Sequence, residues 1–342
     1  MNILNLVRKN ILEMKPYSSA RDEFKGEADI YLDANENPYP SYYNRYPDPL
    51  QKKVKEALAP LKETTPENIF LGNGSDEAID LLIRSFCEPH QDSILILEPT
   101  YGMYTVCANV NAVSVQAVSL TKSFDIDLEA TLKAIDSTTR IIFVCSPNNP
   151  SGNSLNRQSI LQLLEQFSGL VVVDEAYIDF AESASFIALL NKYDNLVILQ
   201  TFSKAWGLAG LRLGMCYASS DIITILNKVK YPYNINIQTQ RLALQALDNS
   251  LRKDIEVKQL IRERKKLMSA LIELPLVRKV FNSEANFILV QVQDAKAAYQ
   301  YLLHKGIIVR DRSSVLHCEN CLRITVGTPE ENQRLLATLK EI

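Results

Sequence analysis

From about residue 68 to 217, short runs rich in β-branched residues alternate with amphipathic stretches. NIFLG is followed by SDEAIDLLIRSFC, DSILILEP by a helix-like segment after Tyr101, and RIIFVCSP by NRQSILQLLEQF, with LVVVDEAY and LVILQTFS completing the series. This alternation predicts an α/β domain with a mainly parallel sheet and helices on both faces. Sheets of that kind bind ligands beyond the carboxyl ends of their strands.

After about residue 218 the pattern changes. Long helical stretches, one of them charged over 249–273, precede the strand candidates NFILVQV, IIVRD and LRITV and a closing helix PEENQRLLATLKEI. This reads as a second, smaller α+β domain, with the charged helix as a solvated face or a spine between domains. There is no internal repeat and no low-complexity segment.

With 342 residues, 46% of them hydrophobic, the chain can fill a substantial core. Its formal net charge of -3, from 37 Lys+Arg against 40 Asp+Glu, provides no basic stripe for nucleic acid or an anionic membrane. No apolar run approaches the roughly 18 to 20 residues that span a bilayer. The opening MNILNLVRKNILEMK is interrupted by Arg8, Lys9 and Glu13, unlike a signal peptide. Its Ile3, Leu4, Val7, Ile11 and Leu12 recur at helical spacing, which predicts an amphipathic arm docked on a body or a partner. A cytoplasmic location is expected. The cysteines at 87, 107, 145, 216, 318 and 321 do not form a disulfide framework and read as buried, reduced fillers. Cys318 and Cys321 in HCENC have motif spacing, but no second CxxC or histidine cluster completes a zinc site.

Four polar clusters follow strand-like runs and, by the sheet rule, share one crevice. GNGSDE (72–77) has Glu77 where a GxGxxG fingerprint needs glycine. It is either a turn with Ser75 as N-cap or a helix N-terminus offering N–H groups to a phosphate. Asp76 weighs against the second reading unless other groups bring positive charge. SPNNPSG (146–152) is a constrained loop in which Asn149 is better placed than Asn148 to hold its amide toward a ligand. In DEAY, Asp174 ends an apparently buried strand and needs a cation or a hydrogen donor, a structural salt bridge being one solution. In TFSKA, Lys204 is either snorkelling or reactive, because a buried amine is costly unless paired or reacted. Lys204, Asp174, Tyr177 and Arg212 together match the needs of pyridoxal phosphate. Its aldehyde requires a lysine, its ring nitrogen an acid partner, and its phosphate donors and positive charge.

Over nearly its whole length the chain resembles the class II pyridoxal-phosphate-dependent aminotransferases of the aspartate aminotransferase fold. The resemblance runs through KPYSSAR (15–21), LDANENP (32–38), RYPDP (45–49), GNGSDE, PTYGMY (99–104), CSPNNPSG, DEAYIDF (174–180), TFSKAWGLAGLRLG and LRITVGT (322–328). KPY, ANENP, RYPDP and LRITVGT favour the histidinol-phosphate branch. The resemblance implies a large domain over 40–235 with a mainly parallel seven-stranded sheet, and a small domain from 1–39, including the arm, and 236–342. It implies that Lys204 forms the imine with the cofactor and shuttles the proton, and that Asp174 pairs with the ring nitrogen. Tyr177 and Asn149 would bond the phenolic oxygen and Tyr101 would stack on the ring. Gly74, Ser75, Asp76, Ser203 and Arg212 would hold the phosphate, with Tyr46 reaching the partner's cofactor in a homodimer. Arg323 would receive the anionic group of histidinol phosphate or of glutamate, with Arg310, Tyr17 and Asn35 as further substrate contacts. The implied reaction converts histidinol phosphate and 2-oxoglutarate to imidazole-acetol phosphate and glutamate in histidine biosynthesis.

Departures from the family pattern are NPSG for NPTG, DAN for NAN, and Trp206 beside the lysine, with substrate preference near Asn35 and Trp206 the property they would alter. The alternatives are an aromatic amino-acid aminotransferase, a threonine-phosphate decarboxylase of the same fold, and a catalytically silent regulator. The intact Lys204, Asp174 and Arg212 set argues against the last.

Overall fold

A computed structural model describes residues 3–17, 26 and 28–342. Residues 18–21 of the KPYSSAR stretch lie outside the described residues. The first sheet contains β1 (Ile69–Asn73), β2 (Ser93–Glu98), β3 (Ser114–Ser119), β4 (Thr139–Cys145), β5 (Leu170–Asp174), β6 (Leu196–Thr201) and β7 (Leu213–Tyr217). Their spatial order is β1-β7-β6-β5-β4-β2-β3, with β7 antiparallel to both neighbours and the other pairs parallel. The expected seven-stranded, mainly parallel sheet is therefore present.

The continuous apolar runs of β5 and β6 are buried at every position, as required of strands covered on both faces. Alternate residues feed two cores. Val171, Val173 and Ile198 face one layer of helices, and Val172, Val197 and Leu199 face the other. A polar side chain can leave such a sheet only where a strand ends. Here β1, β2, β4, β5 and β6 all end along one edge, and the reversed β7 begins there, so all the polar clusters and Arg212 meet.

The helix Gly74–Phe86 starts directly against β7. A Cβ on Gly214 would lie 2.2 Å from Gly74 C and 2.2 Å from Ser75 N, backbone atoms that cannot swing aside. Gly74 itself has φ +68 and donates its N–H to Arg212 O at 2.7 Å. Both positions need glycine, one for close approach and the other for a left-handed turn.

The second sheet is antiparallel throughout, in the order β10 (Arg310–Asp311), β11 (Cys321–Thr325), β9 (Phe287–Val292), β8 (Val277–Val280). It packs a separate core of Leu267, Leu271, Ile288, Val290, Leu322 and Leu335 against helices Ser250–Ile272, Ala295–His304 and Pro329–Leu339. The charged helix Ser250–Ile272 is the spine. Its buried Arg264 donates Nη1 to Phe180 O (3.2 Å), beyond β5, and to Ala285 O (2.7 Å), before β9. Of IIVRD only Arg310–Asp311 pairs as strand, because β11 offers it a single neighbour and Ile308 remains 79% exposed.

Two expected boundaries shift. The helix Ile237–Asp248 buries Ala243 and Leu247 in the core of the first sheet, so packing changes over at Ser250 rather than at 236. The amphipathic arm breaks into a 3-10 turn, Ile3–Leu6, and a short helix, Lys9–Glu13, and buries Ile3, Val7 and Ile11 beneath the same sheet, although 1–39 was grouped with the small domain. All six cysteines are buried and free. No described helix is long and apolar enough to cross a membrane.

The Gly214 contact is testable. Gly214→Ala should destabilise the protein by about 1–3 kcal/mol, the usual cost of overpacking. Urea denaturation checks this, and an unchanged midpoint would refute the close approach.

Candidate active site

The strand ends enclose a cavity of ≈ 150 Å³ that opens into a cleft of ≈ 970 Å³. Every residue assigned above to the cofactor lines the cavity except Tyr46: Gly74, Ser75 and Asp76 from the helix start, Asp174 from the last position of β5, Tyr101, Asn149 and Tyr177 from the loops after β2, β4 and β5, and Ser203, Lys204 and Arg212 between β6 and β7.

Asp174 forms the floor. It is 3% exposed. Tyr104 donates its hydroxyl to Oδ2 at 2.6 Å and Ala176 its N–H to Oδ1 at 3.1 Å. Burial pushes its carboxyl up to about 6, against the pull of those hydrogen bonds. The salt-bridge reading fails, because among the described residues no Lys, Arg or His pairs with it.

Lys204 stands in the turn after β6 and opens onto the cavity, its Nζ 5.6 Å from the centroid of the Tyr177 ring. Lost hydration lowers its pKa, and Arg323 and Arg212 add to that while Asp174 and Asp76 oppose it. Among the described residues its amine has no hydrogen-bond or ion-pair partner. Tyr177 is also buried, and its phenol is raised chiefly by desolvation.

At the opposite wall, Ser75 is not the N-cap. The helix begins at Gly74 after Asn73, which makes no side-chain cap; Asn73 instead donates Nδ2 to Asn234 O at 2.8 Å, and Glu77 reaches back to the Asn73 N–H. The first-turn N–H groups of Ser75 and Asp76 are left without an intrahelical acceptor at the positive end of the helix. Arg212 has φ +53, which turns its guanidinium back to 3.6 Å from Asp76 Oδ2, and Tyr101 donates its hydroxyl to Asp76 Oδ1 at 3.1 Å. The Asp76 carboxylate is thus engaged by Arg212 and Tyr101, and the positive charge that GNGSDE lacks comes from Arg212.

Asn148 is structural, donating Nδ2 to Pro99 O (2.9 Å) and Ser151 Oγ (2.9 Å). Asn149 accepts from Arg323 Nη1 at 2.6 Å through its Oδ1, which leaves its NH₂ as donor. Arg323 and its register partner Arg310 line the cleft, together with Arg312, which the sequence reading did not select. Tyr104 was also missed, although its spacing from Tyr101, three residues earlier, places the two rings 5.6 Å apart. Thr201 joins the set through its hydroxyl, 3.1 Å from Ser203 Oγ.

Three assigned residues are not brought to this chain's cavity or cleft. Tyr17 is 69% exposed in a groove beside Lys228 and Pro232. Asn35 is exposed with φ +53, and Tyr46 stacks on Tyr233 at 4.4 Å. Trp206 turns inward against Phe202, 5.1 Å between centroids, and lines neither space.

A reactive amine, a buried acid and an anion cradle at the strand ends of this sheet define a site for a cofactor that carries a phosphate and takes up amines. The chain belongs to the aminotransferase class I and II family, whose model matches residues 33–339. It is 54% identical over 341 residues to the histidinol-phosphate aminotransferase of Parabacteroides distasonis, covering 100% of this chain and 99% of that one. It is 55% identical over 340 residues to that of Cytophaga hutchinsonii, covering 98% of each. Among solved structures, the histidinol-phosphate aminotransferase of Clostridium acetobutylicum superposes with a TM-score of 0.80 at 25% identity, covering 87% of this chain and 90% of that one.

The raised Asp174 pKa has a sign. The folded apoprotein holds the proton more tightly than the unfolded chain, so this group favours folding below about pH 4, and the benefit is lost as pH rises through about 6. Relative to Asp174→Asn, the wild-type apoprotein should lose up to about 3 kcal/mol across that window. Urea denaturation of both proteins at several pH values measures it, and a pH-independent difference would contradict the burial argument.

Proposed function

We propose that this chain transfers the amino group of L-histidinol phosphate to 2-oxoglutarate, giving imidazole-acetol phosphate and L-glutamate in histidine biosynthesis, with pyridoxal 5'-phosphate as cofactor. The observation that carries this reading is the buried Asp174 carboxylate, which has no cation paired with it among the described residues, facing the same cavity as the Lys204 amine, which has no hydrogen-bond or ion-pair partner among them. The buried carboxylate is costly alone, whereas the Lys204 amine is open to the cavity, and a group with a protonated ring nitrogen at one end and an aldehyde at the other fits both. The uncapped helix start, Ser203 and Arg212 fit its phosphate, since a helix N-terminus with a guanidinium is a ready anion site. The family membership and the two curated relatives support the same substrate.

When bound, the cofactor supplies an aldehyde that takes up the amine and a protonated ring that accepts the electron pair of the deprotonated carbon. The chain's residues do the rest. Asp174 holds the proton at the ring nitrogen, and Tyr104 and Ala176 keep its carboxylate oriented. Lys204, its pKa lowered, anchors the cofactor and then moves the proton at the substrate carbon. Tyr177 and the Asn149 NH₂ would be the donors to the cofactor's phenolic oxygen, and Tyr101 would hold its ring. Arg323 and Arg310 receive the phosphate or carboxylate of either substrate.

The working unit under this proposal is a cytoplasmic homodimer. Tyr46, Tyr17 and Asn35 lie away from their own cavity, in a segment that exposes Ile30 (75%), Leu32 (85%), Tyr39 (78%) and Tyr42 (86%). Packing against a second copy would cover these side chains and carry the tyrosines toward the partner's site.

Lys204→Ala should lose at least about 10² to 10⁴ in turnover, read as glutamate formation; normal turnover would remove Lys204 from the mechanism. Arg323→Ala should raise KM for both substrates by about tenfold to a hundredfold, since a charge-assisted hydrogen bond is worth roughly 1.5–3 kcal/mol. An effect on one substrate alone would contradict a shared anion site. Following the absorbance of the bound cofactor against L-histidinol phosphate, phenylalanine and threonine phosphate tests the substrate, with a preference for phenylalanine moving the chain to the aromatic transaminases.

A further inference from the structure

We propose that Arg312 is a specificity-determining residue that, with Arg310 and Arg323, makes the cleft prefer a phosphate monoester dianion to a carboxylate. The inference rests on the transamination proposed above and deepens it by assigning the charge that tells the two anionic substrates apart.

Arg310 and Arg323 are register partners on neighbouring strands, β10 and β11. Arg312 follows Arg310 by two residues, the spacing that returns a side chain to the same face of an extended segment. Its N–H donates to Cys321 O at 2.8 Å, which extends the pairing one residue past β10. All three guanidiniums line the cleft that Lys204 and Tyr177 also border.

No carboxylate pairs with any of the three among the described residues. Asp311, the acid between two of them, spends Oδ1 on Ser313 N (2.8 Å) and Ser313 Oγ (2.6 Å). Arg323 commits Nη1 to Asn149. Arg312 is different: its Nε is buried and has no hydrogen-bond partner. A buried N–H left unpaired on a cation is costly, and a turn of the Arg312 side chain within the cleft it lines would bring that N–H to an oxyanion. Burial lowers the Arg312 pKa most, and Arg323 and Arg310 add repulsion.

Converging cations without an internal counter-charge gain more from two negative charges than from one. A phosphate monoester carries about −1.5 to −2 at neutral pH, whereas a carboxylate carries one charge. Arg323 with Arg310 is therefore enough for glutamate. Arg312 supplies the third charge and the unused N–H for the phosphate.

The test uses the holoenzyme of the wild type, Arg312→Gln and Arg312→Lys. Calorimetric titration with L-histidinol phosphate and with L-histidinol gives the phosphate preference, and steady-state kinetics give KM for L-glutamate. Arg312→Gln should lose about tenfold to a hundredfold of the phosphate preference, change KM for L-glutamate by a smaller factor, and leave affinity for L-histidinol near that of the wild type. Arg312→Lys, which keeps the charge but loses the planar fork, should recover only part of the preference; it carries the comparison if Arg312→Gln does not fold. A full phosphate preference in either variant would overturn the role of Arg312, as would equal losses on phosphate, alcohol and glutamate, which mark a merely structural residue. If the wild type itself does not prefer L-histidinol phosphate to L-histidinol, the substrate reading falls and the Arg312 proposal with it.

Discussion

A sheet covered on both faces gives polar side chains one exit, the edge where its strands end, and the rest of this molecule is arranged around that constraint. β5 and β6 have no exposed position, so Asp174 is held in place by a strand that can place no charge elsewhere. The reversal of β7 adds Arg212 to the same edge. Without that reversal the arginine would emerge at the opposite end of the sheet, and the helix start at Gly74 would have no cation behind it.

The cavity separates charge along its length. The floor is a carboxylate that burial pushes up to about 6; the wall and rim are cationic, with Arg212 near the helix start and Arg310, Arg312 and Arg323 at the cleft. Lys204 stands between them, and the arginines together with burial lower its pKa. A neutral amine is the nucleophilic form, so the same field that attracts anions also prepares the lysine. Neither half works alone: the arginines without the floor would leave a protonated ring unpaired, and the floor without the arginines would leave substrate anions unheld.

Much of this was legible in the chain because strand periodicity and the polar residues after each run are local features. LVVV before Asp174 and LVILQTF before Lys204 place both residues at strand ends from sequence alone. What was not legible depends on partners far apart in the chain. Tyr104 reaches Asp174 across 70 residues and Arg323 reaches Asn149 across 174, and no window of periodicity contains such a pair. Local chemistry leaves Ser75 open between a cap and an anion contact; the choice is made by Gly74, which is engaged by the distant Arg212 carbonyl and starts the helix two residues earlier than a Ser75 cap would. Trp206 lies two residues from Lys204, yet the turn after β6 sends it inward against Phe202, a direction that sequence proximity does not reveal. The short arm is broken at Arg8, whose extended backbone separates the two turns and whose side chain pairs with Glu88 at 3.1 Å.

The two sheets meet through contacts that bear directly on the site. Tyr177, Phe180 and Ala205 from the first pack against Val257, Ala285 and Phe287 from the second, and Lys253 pairs with Asp179 at 3.1 Å. The Arg323 to Asn149 hydrogen bond, at 2.6 Å, crosses this junction at the cavity itself. Asn149 therefore belongs to both spaces: its oxygen is held by Arg323 at the cleft, and its NH₂ is left as a donor in the cavity. An anion arriving at Arg323 competes with Asn149 for the guanidinium, and any weakening of that bond frees the Asn149 amide to reorient.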